Sequence, residues 1–556
     1  MKESVMRHTA WGLLPLALLA APLMGQYDWR AMTTNLTGTD LIFSTTWTLK
    51  GEPYNPYSKL IHYRAGQLRT LRSVLPERDP VAGCVTNHPN LTQPEMSMDG
   101  TRYSYTASWT GHDLCMMSTI GEVRRDTGEL IHSEKGSIRM SANGRWALFR
   151  TGNSYGLTDL ETGFQETFVY VDPFNTALFS RAVANDGTVA LAKWNPWLFL
   201  KRPGLASEAH ETPFGTESAA IADSGNFAVL MARSAPPSTK GQIWIADFSS
   251  RQMIQAVASD EDHCRWPVLS TDGSRMAFLS TANWLTTNNS RTMQAYMMDL
   301  NTGELTQLTK GTNTVVLVAI SGDGRTAYTR HEDGSILFVD IEAGQSLEIV
   351  PAAPNSIGLT SIVPGSRGVI SVQGNRQPTL TLDGVELRIV KVAPWQVEFI
   401  APDSLAIGQH ELELSYEGSP FQPFKLQATA RDYSPSFQFW NTIPQVWHDE
   451  GGTAVYEASP ARSGEVIEAL LAGLGAVDAE GKTRMAMNWQ VYHSGQNQGS
   501  SIEVLSSRMS PYEGEEGLYR VKFRLPQISL AGNAALRCTD ARDESVTASA
   551  VFAVAP

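Results

Sequence analysis

The sequence predicts an all-β chain, a β-propeller of about seven blades followed by two immunoglobulin-like β-sandwiches. Three observations predict it. A segment of a dozen residues centred on Asp-Gly, as in LSTDGSRMAFLS (269 to 280), recurs through the first 330 residues. From about Pro354 that period stops, and short alternating strands follow with turns every 8 to 12 residues. The length of 556 residues exceeds what one hydrophobic core supports, about 250 to 300 residues, so at least two units are expected.

Residues 1–25 are of another kind. MKESVMRHTA carries Lys2 and Arg7, and the apolar stretch Trp11 to Gly25 follows it, which is the layout of a secretory signal peptide. That stretch contains Pro15 and Pro22 and falls short of the roughly 20 residues a permanent spanning helix needs. The mature chain is therefore expected without a transmembrane anchor, secreted or periplasmic or at the cell surface. Export fits the four cysteines, since oxidising compartments let disulfides persist. Cys84 and Cys115 flank the same repeat and are the expected disulfide, whereas Cys264 and Cys538 fall in different units and are expected as buried thiols. With 44 Lys and Arg against 57 Asp and Glu, the net charge is −13 and the basic residues are scattered, which disfavours nucleic acid as a partner.

The propeller is expected over residues 30–353. Its repeats are MSMDGTRYSYTASW (96 to 109), MSANGRWALFRTG (140 to 152), VANDGTVALAKW (183 to 194), IADSGNFAVLMAR (221 to 233), LSTDGSRMAFLS and ISGDGRTAYTR (320 to 330). Counting from Asp99 to Asn143, Asp186, Asp223, Asp272 and Asp323, the separations are 44, 43, 37, 49 and 51 residues, the size of one propeller blade. Asp-Gly or Asn-Gly suits the tight turn between two antiparallel strands, because Gly takes positive φ at no steric cost. A second turn follows in the better copies, as in AYMMDLNTGELTQLT (295 to 309). An opening unit without Asp-Gly, LIFSTTWTL (41 to 49) with SKLIHYRAGQLRTLR (58 to 72), brings the count to seven, with six to eight left open. A lone blade cannot cover both its apolar faces, and radial stacking buries them.

These residues resemble the TolB-type, WD40-like propeller repeat over roughly 38 to 352, strongly at 269–311 and 320–350 and poorly at 186–250. The remainder divides into a first sandwich over 354–432 and a second over 433–556. Pro364-Gly365-Ser366, Ala393-Pro394-Trp395-Gln396-Val397, Pro460 with Gly464-Glu465-Val466, Gly473-Leu474-Gly475 and Gly517-Leu518-Tyr519 occur there in order. They resemble the uncharacterised Solibacter-type C-terminal domain of secreted acidobacterial proteins, which implies export and a propeller partner domain but no known activity.

No cofactor or metal is called for. His-Glu-x-x-His, the phosphate-binding and dinucleotide glycine patterns and the EF-hand loop are missing, and no Gly-x-Ser-x-Gly elbow is expected, nor the C-terminal α/β domain that a serine hydrolase of that kind would also need. Asp260-Glu261-Asp262-His263-Cys264 is the densest polar cluster and reads as a solvated loop. The loops opposite the Asp-Gly turns carry Trp109, Tyr155, Trp194, Trp197, Trp284 and His331. An aromatic ring around one channel mouth would suit a glycan, a peptide or an extracellular protein. The expectation is thus an exported, non-catalytic binding or surface-interaction protein. The alternatives are an extracellular hydrolase or lyase on polysaccharide or peptide in the channel, and a structural cell-envelope component.

Overall fold

The computed structural model describes residues 32–555 except 54–57, 74–85, 112–117, 152–153, 170–177, 194–196, 213–215, 234–239, 258–261, 353–355, 360–361, 373–376, 394–395, 432–435, 438, 441–442, 450–451, 457–458, 476, 479, 481–486, 494–499, 513–514, 528–531 and 541–546. Every element among them is a β-strand. Residues 32–350 form seven four-stranded antiparallel sheets, each of consecutive strands in up-and-down order, over 32–73, 86–135, 137–169, 178–211, 216–257, 264–307 and 315–350.

The recurring turn is a local hydrogen-bond device. In Ser270-Thr271-Asp272-Gly273, the Ser270 hydroxyl donates to the Asp272 carboxylate at 2.7 Å and accepts the Arg275 N–H at 3.0 Å. Asp272 also accepts the Ser274 N–H at 3.0 Å. Gly273 follows with φ +70°, the left-handed conformation that closes the turn. The same pattern is written with Ser97 and Asp99, Ser141 and Asn143, and Ser321 and Asp323. All these bonds span five residues or fewer, so a dozen residues suffice to specify the hairpin.

Seven apolar clusters stand between neighbouring sheets. Tyr103 and Tyr105 meet Ile42 and Leu60 between the first two sheets, and Leu230 and Ala219 meet Leu198 and Leu200 between the fourth and fifth. The circle closes where Leu41 and Phe43 of the first sheet pack on Leu317 and Tyr328 of the seventh. Each sheet is therefore covered on both faces by its neighbours, and the result is a closed, propeller-like ring. Burial of each large side chain contributes about 1.5–3 kcal/mol.

Residues 356–430 form two four-stranded sheets around one core that includes Ile370, Phe399 and Leu412. Residues 436–555 form two five-stranded sheets, with a small 439–444 hairpin, around a second core of Trp489, Tyr519, Phe523 and Leu536. The first of these units plugs onto the ring. Phe421, 1% exposed, enters the cluster that closes the circle, its ring 5.2 Å from that of Trp47. The backbone joins there as well, with the Lys50 N–H donating to Pro420 O and the Gln422 N–H to Thr48 O, both at 2.8 Å.

The two units meet at residues that the sequence presents as separate turns. Ser366 Oγ accepts the Gly473 N–H at 2.7 Å and donates to Gly517 O at 3.2 Å. The Arg367 N–H donates to Gly517 O at 2.9 Å, and its buried guanidinium spans Glu398, at 2.9 Å, and the Glu516 carbonyl, at 2.9 Å. Tyr519 donates to Gly475 O at 2.6 Å. Pro364 to Ser366, Gly473 to Gly475 and Gly517 to Tyr519 are thus one buried joint.

Candidate functional site: the axial channel

The first strands of the seven sheets are Met32–Thr34, Thr86–Met96, Ser137–Met140, Leu178–Val183, Thr216–Ile221, Cys264–Leu269 and Val315–Ile320. Each touches the next around the axis, and the last touches the first. They enclose a cavity of about 220 Å³ beside the Asp-Gly turns, lined from all seven sheets by residues that include Thr34, Met96, Met140, Ala182, Asp223, Leu269 and Ile320. A second cavity of about 170 Å³ lies further from the turns and shares Met32, Thr33, Glu95, Ala220 and Val268 with the first. The two form one axial channel.

At its turn end the channel is lined by the turn residues Met98, Ala142, Asp223, Thr271 and Gly322, and neighbouring turns bond from sheet to sheet. The Leu36 N–H donates to Met98 O at 2.9 Å and the Met98 N–H to Ala142 O at 2.7 Å. The Asn185 side-chain carbonyl accepts the Asn143 N–H at 2.7 Å, and the Asn185 N–H donates to Asp223 O at 3.1 Å. The Thr271 N–H donates to Gly322 O at 2.8 Å, and Asp323 N–H to Leu36 O at 2.8 Å returns to the start. The turns therefore stitch the ring as well as reverse the chain.

Asp223 stands in this rim because its repeat reads Ala222-Asp223-Ser224-Gly225 where the others place Asp or Asn directly before Gly. Its carboxylate occupies the inward position and Ser224 takes the turn position, so the 37-residue spacing measured from Asp223 marks a transposition. That transposition was the legible signal of an unusual channel residue. Burial pushes the Asp223 carboxyl up to about 6, against the Asn185 amide, which donates to it at 2.8 Å and favours the charged form. A carboxyl raised from 3.8 to about 6 stabilises the fold fully below pH 3.8, and that contribution is lost as pH rises through 6. Asp223→Asn is therefore expected to raise stability above pH 6 by about 1–2 kcal/mol, after discounting for partial exposure, and to change little near pH 4. Thermal melts at the two pH values measure it, and an equal shift at both would show that ionisation is not the cause.

The other channel carboxylate is held. Glu95 accepts from Arg139 Nη1 at 3.1 Å and from the Met140 N–H. Arg139 is 4% exposed, and its Nε–H, buried, has no hydrogen-bond partner.

The six aromatic candidates do not share one exposed surface. Tyr155 is 2% exposed, stacked on Phe168 with ring centroids 5.4 Å apart, and belongs to the core between the third and fourth sheets. Trp284 is wedged against Phe278 and Tyr296, at 6.1 and 5.3 Å. His331 is 5% exposed, with burial holding its pKa below the ordinary histidine value. Trp197, 38% exposed at the start of its strand, faces solvent. Trp109 ends the strand Arg102–Gly111, with its side chain outside the described residues, as is all of Trp194. Tyr155 and Trp284 thus pack into apolar clusters between sheets rather than around a mouth.

Cys84 and Cys115 lie outside the described residues. Cys264 and Cys538 are both buried, and burial pushes the Cys264 thiol up to about 12. In the acidic cluster, Asp262 is taken up by Arg291 at 2.8 and 2.9 Å. Among the described residues no group of three His, Cys, Asp or Glu is placed to hold a metal ion, and no helix is long and apolar enough to cross a membrane. One nucleophile pattern escaped the sequence reading: Gly152-Asn153-Ser154-Tyr155-Gly156 spells Gly-x-Ser-x-Gly. Ser154 opens the antiparallel strand Ser154–Asp159, paired with Thr151 and Val169, which is not the strand-to-helix elbow that exposes a catalytic serine.

Fold and site together define a class, an all-β propeller-like ring with an axial channel and two appended two-sheet units. No family model and no curated protein matches the chain. Among solved structures it is similar to hydrazine synthase of Kuenenia stuttgartiensis, 15% identical over 45% of this chain and 76% of that one, with a TM-score of 0.34. It is also similar to a chain of the mitotic checkpoint complex, 11% identical over 56% and 87%, with a TM-score of 0.39. Likeness at that level says nothing of what this chain does.

Proposed function

We propose that this is an exported, non-catalytic binding protein, in which a seven-bladed β-propeller of the TolB type recognises a ligand at its channel. Two immunoglobulin-like sandwiches of the Solibacter type follow, and the apolar leader at residues 11–25 supports export. The observation that carries this reading is the channel itself. Every first strand contributes to its lining, and the wall is small and apolar at Ala182, Ala220 and Ala319 with a few placed polar groups, the composition of a recognition site.

A glycan and peptide array probed with the purified chain tests the proposal. Saturable retention is expected, lost when Ala220→Phe fills the stretch common to both cavities. Retention that survives Ala220→Phe would move recognition away from the channel, and Trp197→Ala then tests the exposed face.

A second reading, a hydrolase or lyase, is favoured by Asp223, whose carboxyl near 6 suits a general acid and which shares a cavity with Glu95. Product release from polysaccharides or peptides at mildly acid pH, abolished by Asp223→Asn, would establish it in place of the first.

A further inference from the structure

The part of the channel far from the turns contains polar atoms that the fold itself does not use. Arg139 projects from the third sheet into the second cavity. Its Nη1 is engaged by Glu95, but the other edge of the fork, Nε with Nη2, carries no hydrogen bond among the described residues. Across the same cavity the Ser218 hydroxyl is also buried without a partner. A buried unmade hydrogen bond costs about 1–3 kcal/mol, so two in one small cavity call for an occupant.

The remaining wall is apolar and shaped. Pro94, Trp266, Pro267, Leu317, Val318 and Met32 line it. Gln93 and Trp266, each just before a proline, have φ of +54° and +52°, and the ladder slips its register at both places. Such bulges re-aim side chains and are strained for residues other than Gly. The Arg265 guanidinium lies 5.7 Å from the centroid of the Trp266 ring.

We infer that the second cavity is a carboxylate-binding subsite, in which the free Arg139 edge takes a ligand carboxylate side-on. Ser218 donates to one of its oxygens, and the apolar body of the ligand lies against Trp266 and the two prolines. The Nε and Nη2 hydrogens are parallel donors spaced for the two oxygens of a carboxylate, a match that an ammonium cannot make. The inference rests on the reading of the channel as a binding site and names what enters it. The carboxylate belongs either to a small organic acid or to the C-terminus of a peptide.

Both sources are tested by calorimetric titration of the whole purified chain at neutral pH. The probes are phenylacetate with phenylacetamide as its uncharged match, and acetyl-Ala-Ala-Phe as free acid with the same peptide as C-terminal amide. At least one acid is expected to bind more tightly than its amide by on the order of ten-fold or more. Tighter binding of phenylacetate assigns the site to small acids, and tighter binding of the peptide acid assigns it to chain ends. Arg139→Lys keeps the charge beside Glu95 but removes the fork, and should weaken the preferred acid on the order of ten-fold. If acid and amide of both pairs bind alike, or if Arg139→Lys folds and binds the acid as the natural chain does, the subsite is refuted. The comparison of acid with amide needs no variant, so a failure of Arg139→Lys to fold leaves it decisive. Array ligands retained through the channel without any acid preference would remove this inference and leave the binding function, whereas a chain that retains nothing loses both.

Discussion

Asp40→Ala is expected to lower the melting temperature by roughly 5–8 °C, on the order of 3–5 kcal/mol. Its carboxylate, 5% exposed, is the centre of a polar network in the first sheet, on the face turned toward the second sheet, where Arg64 also reaches Asp126 at 3.6 Å. His62 Nε2 donates to Asp40 at 2.7 Å, Asn35 Nδ2 at 2.8 Å, and Arg64 donates from Nε. His62 Nδ1 in turn accepts from Arg69 Nε at 3.2 Å, which fixes the tautomer. Asn35 leads into the turn that meets the seventh sheet, where the Tyr328 hydroxyl donates to Gly38 O at 2.5 Å and the Gly322 N–H to Asn35 O at 3.2 Å. Removing the carboxylate leaves a buried imidazole and a guanidinium without their acceptor and frees Asn35, whose backbone joins the first sheet to the seventh. Asp99→Ala is the control. Asp99 makes the same kind of turn bonds but is exposed and lies between sheets adjacent in the chain, so its loss is expected to cost about 1 kcal/mol. Equal melting temperatures for the two variants would show that the buried Asp40 network contributes no more than an exposed turn.

The contrast between these two aspartates also marks what was legible in the sequence. Ser-x-Asp-Gly can be read because all its bonds are local, and the four-stranded order follows once each hairpin is placed. The opening unit could be counted without its Asp-Gly because Leu41, Ile42 and Phe43 still write a buried strand. The channel lining is not local. Which face of a first strand looks inward depends on register, and the bulges at Gln93 and Trp266 shift that register; Pro94 and Pro267 mark a break in each strand but not which side chains it turns inward. Tyr155 and Trp284 sit at the spacing expected of mouth residues, yet neighbouring sheets offer their rings more apolar contact than solvent does. Arg139 reads as an ordinary polar residue in SIRM (137 to 140), and only the assembled ring shows that its Nε is buried without a hydrogen-bond partner among the described residues. Asp223 was readable in principle, since Ala-Asp-Ser-Gly breaks the motif by one position.

The same logic governs the joint between the two C-terminal units, and Gly517→Ala is expected to cost about 3 kcal/mol or more there. Gly517 has φ +69°, and a Cβ built on it would meet the Arg367 backbone nitrogen and Ile400 Cδ1, both at 2.7 Å, and the Ser366 carbonyl carbon at 3.1 Å. Two of those atoms are backbone, so no side-chain rotation relieves the overlap. The Arg367 strand cannot withdraw either, since Ser366 is bound to Gly473 behind it and Arg367 to Glu398 and the Glu516 carbonyl. The left-handed conformation alone costs a side chain about 1 kcal/mol, and Gly418→Ala isolates that part. Gly418 has φ +73° with nothing within 4 Å of its would-be Cβ. The excess of Gly517→Ala over Gly418→Ala in denaturant melts therefore measures the contact between the units, and it should be about 2 kcal/mol. The variant should also speed proteolytic cleavage between residues 430 and 436, because the joint no longer holds the two units together. If Gly517→Ala melts with Gly418→Ala and resists protease like the natural chain, the two units stand independently and the buried joint contributes nothing to holding them.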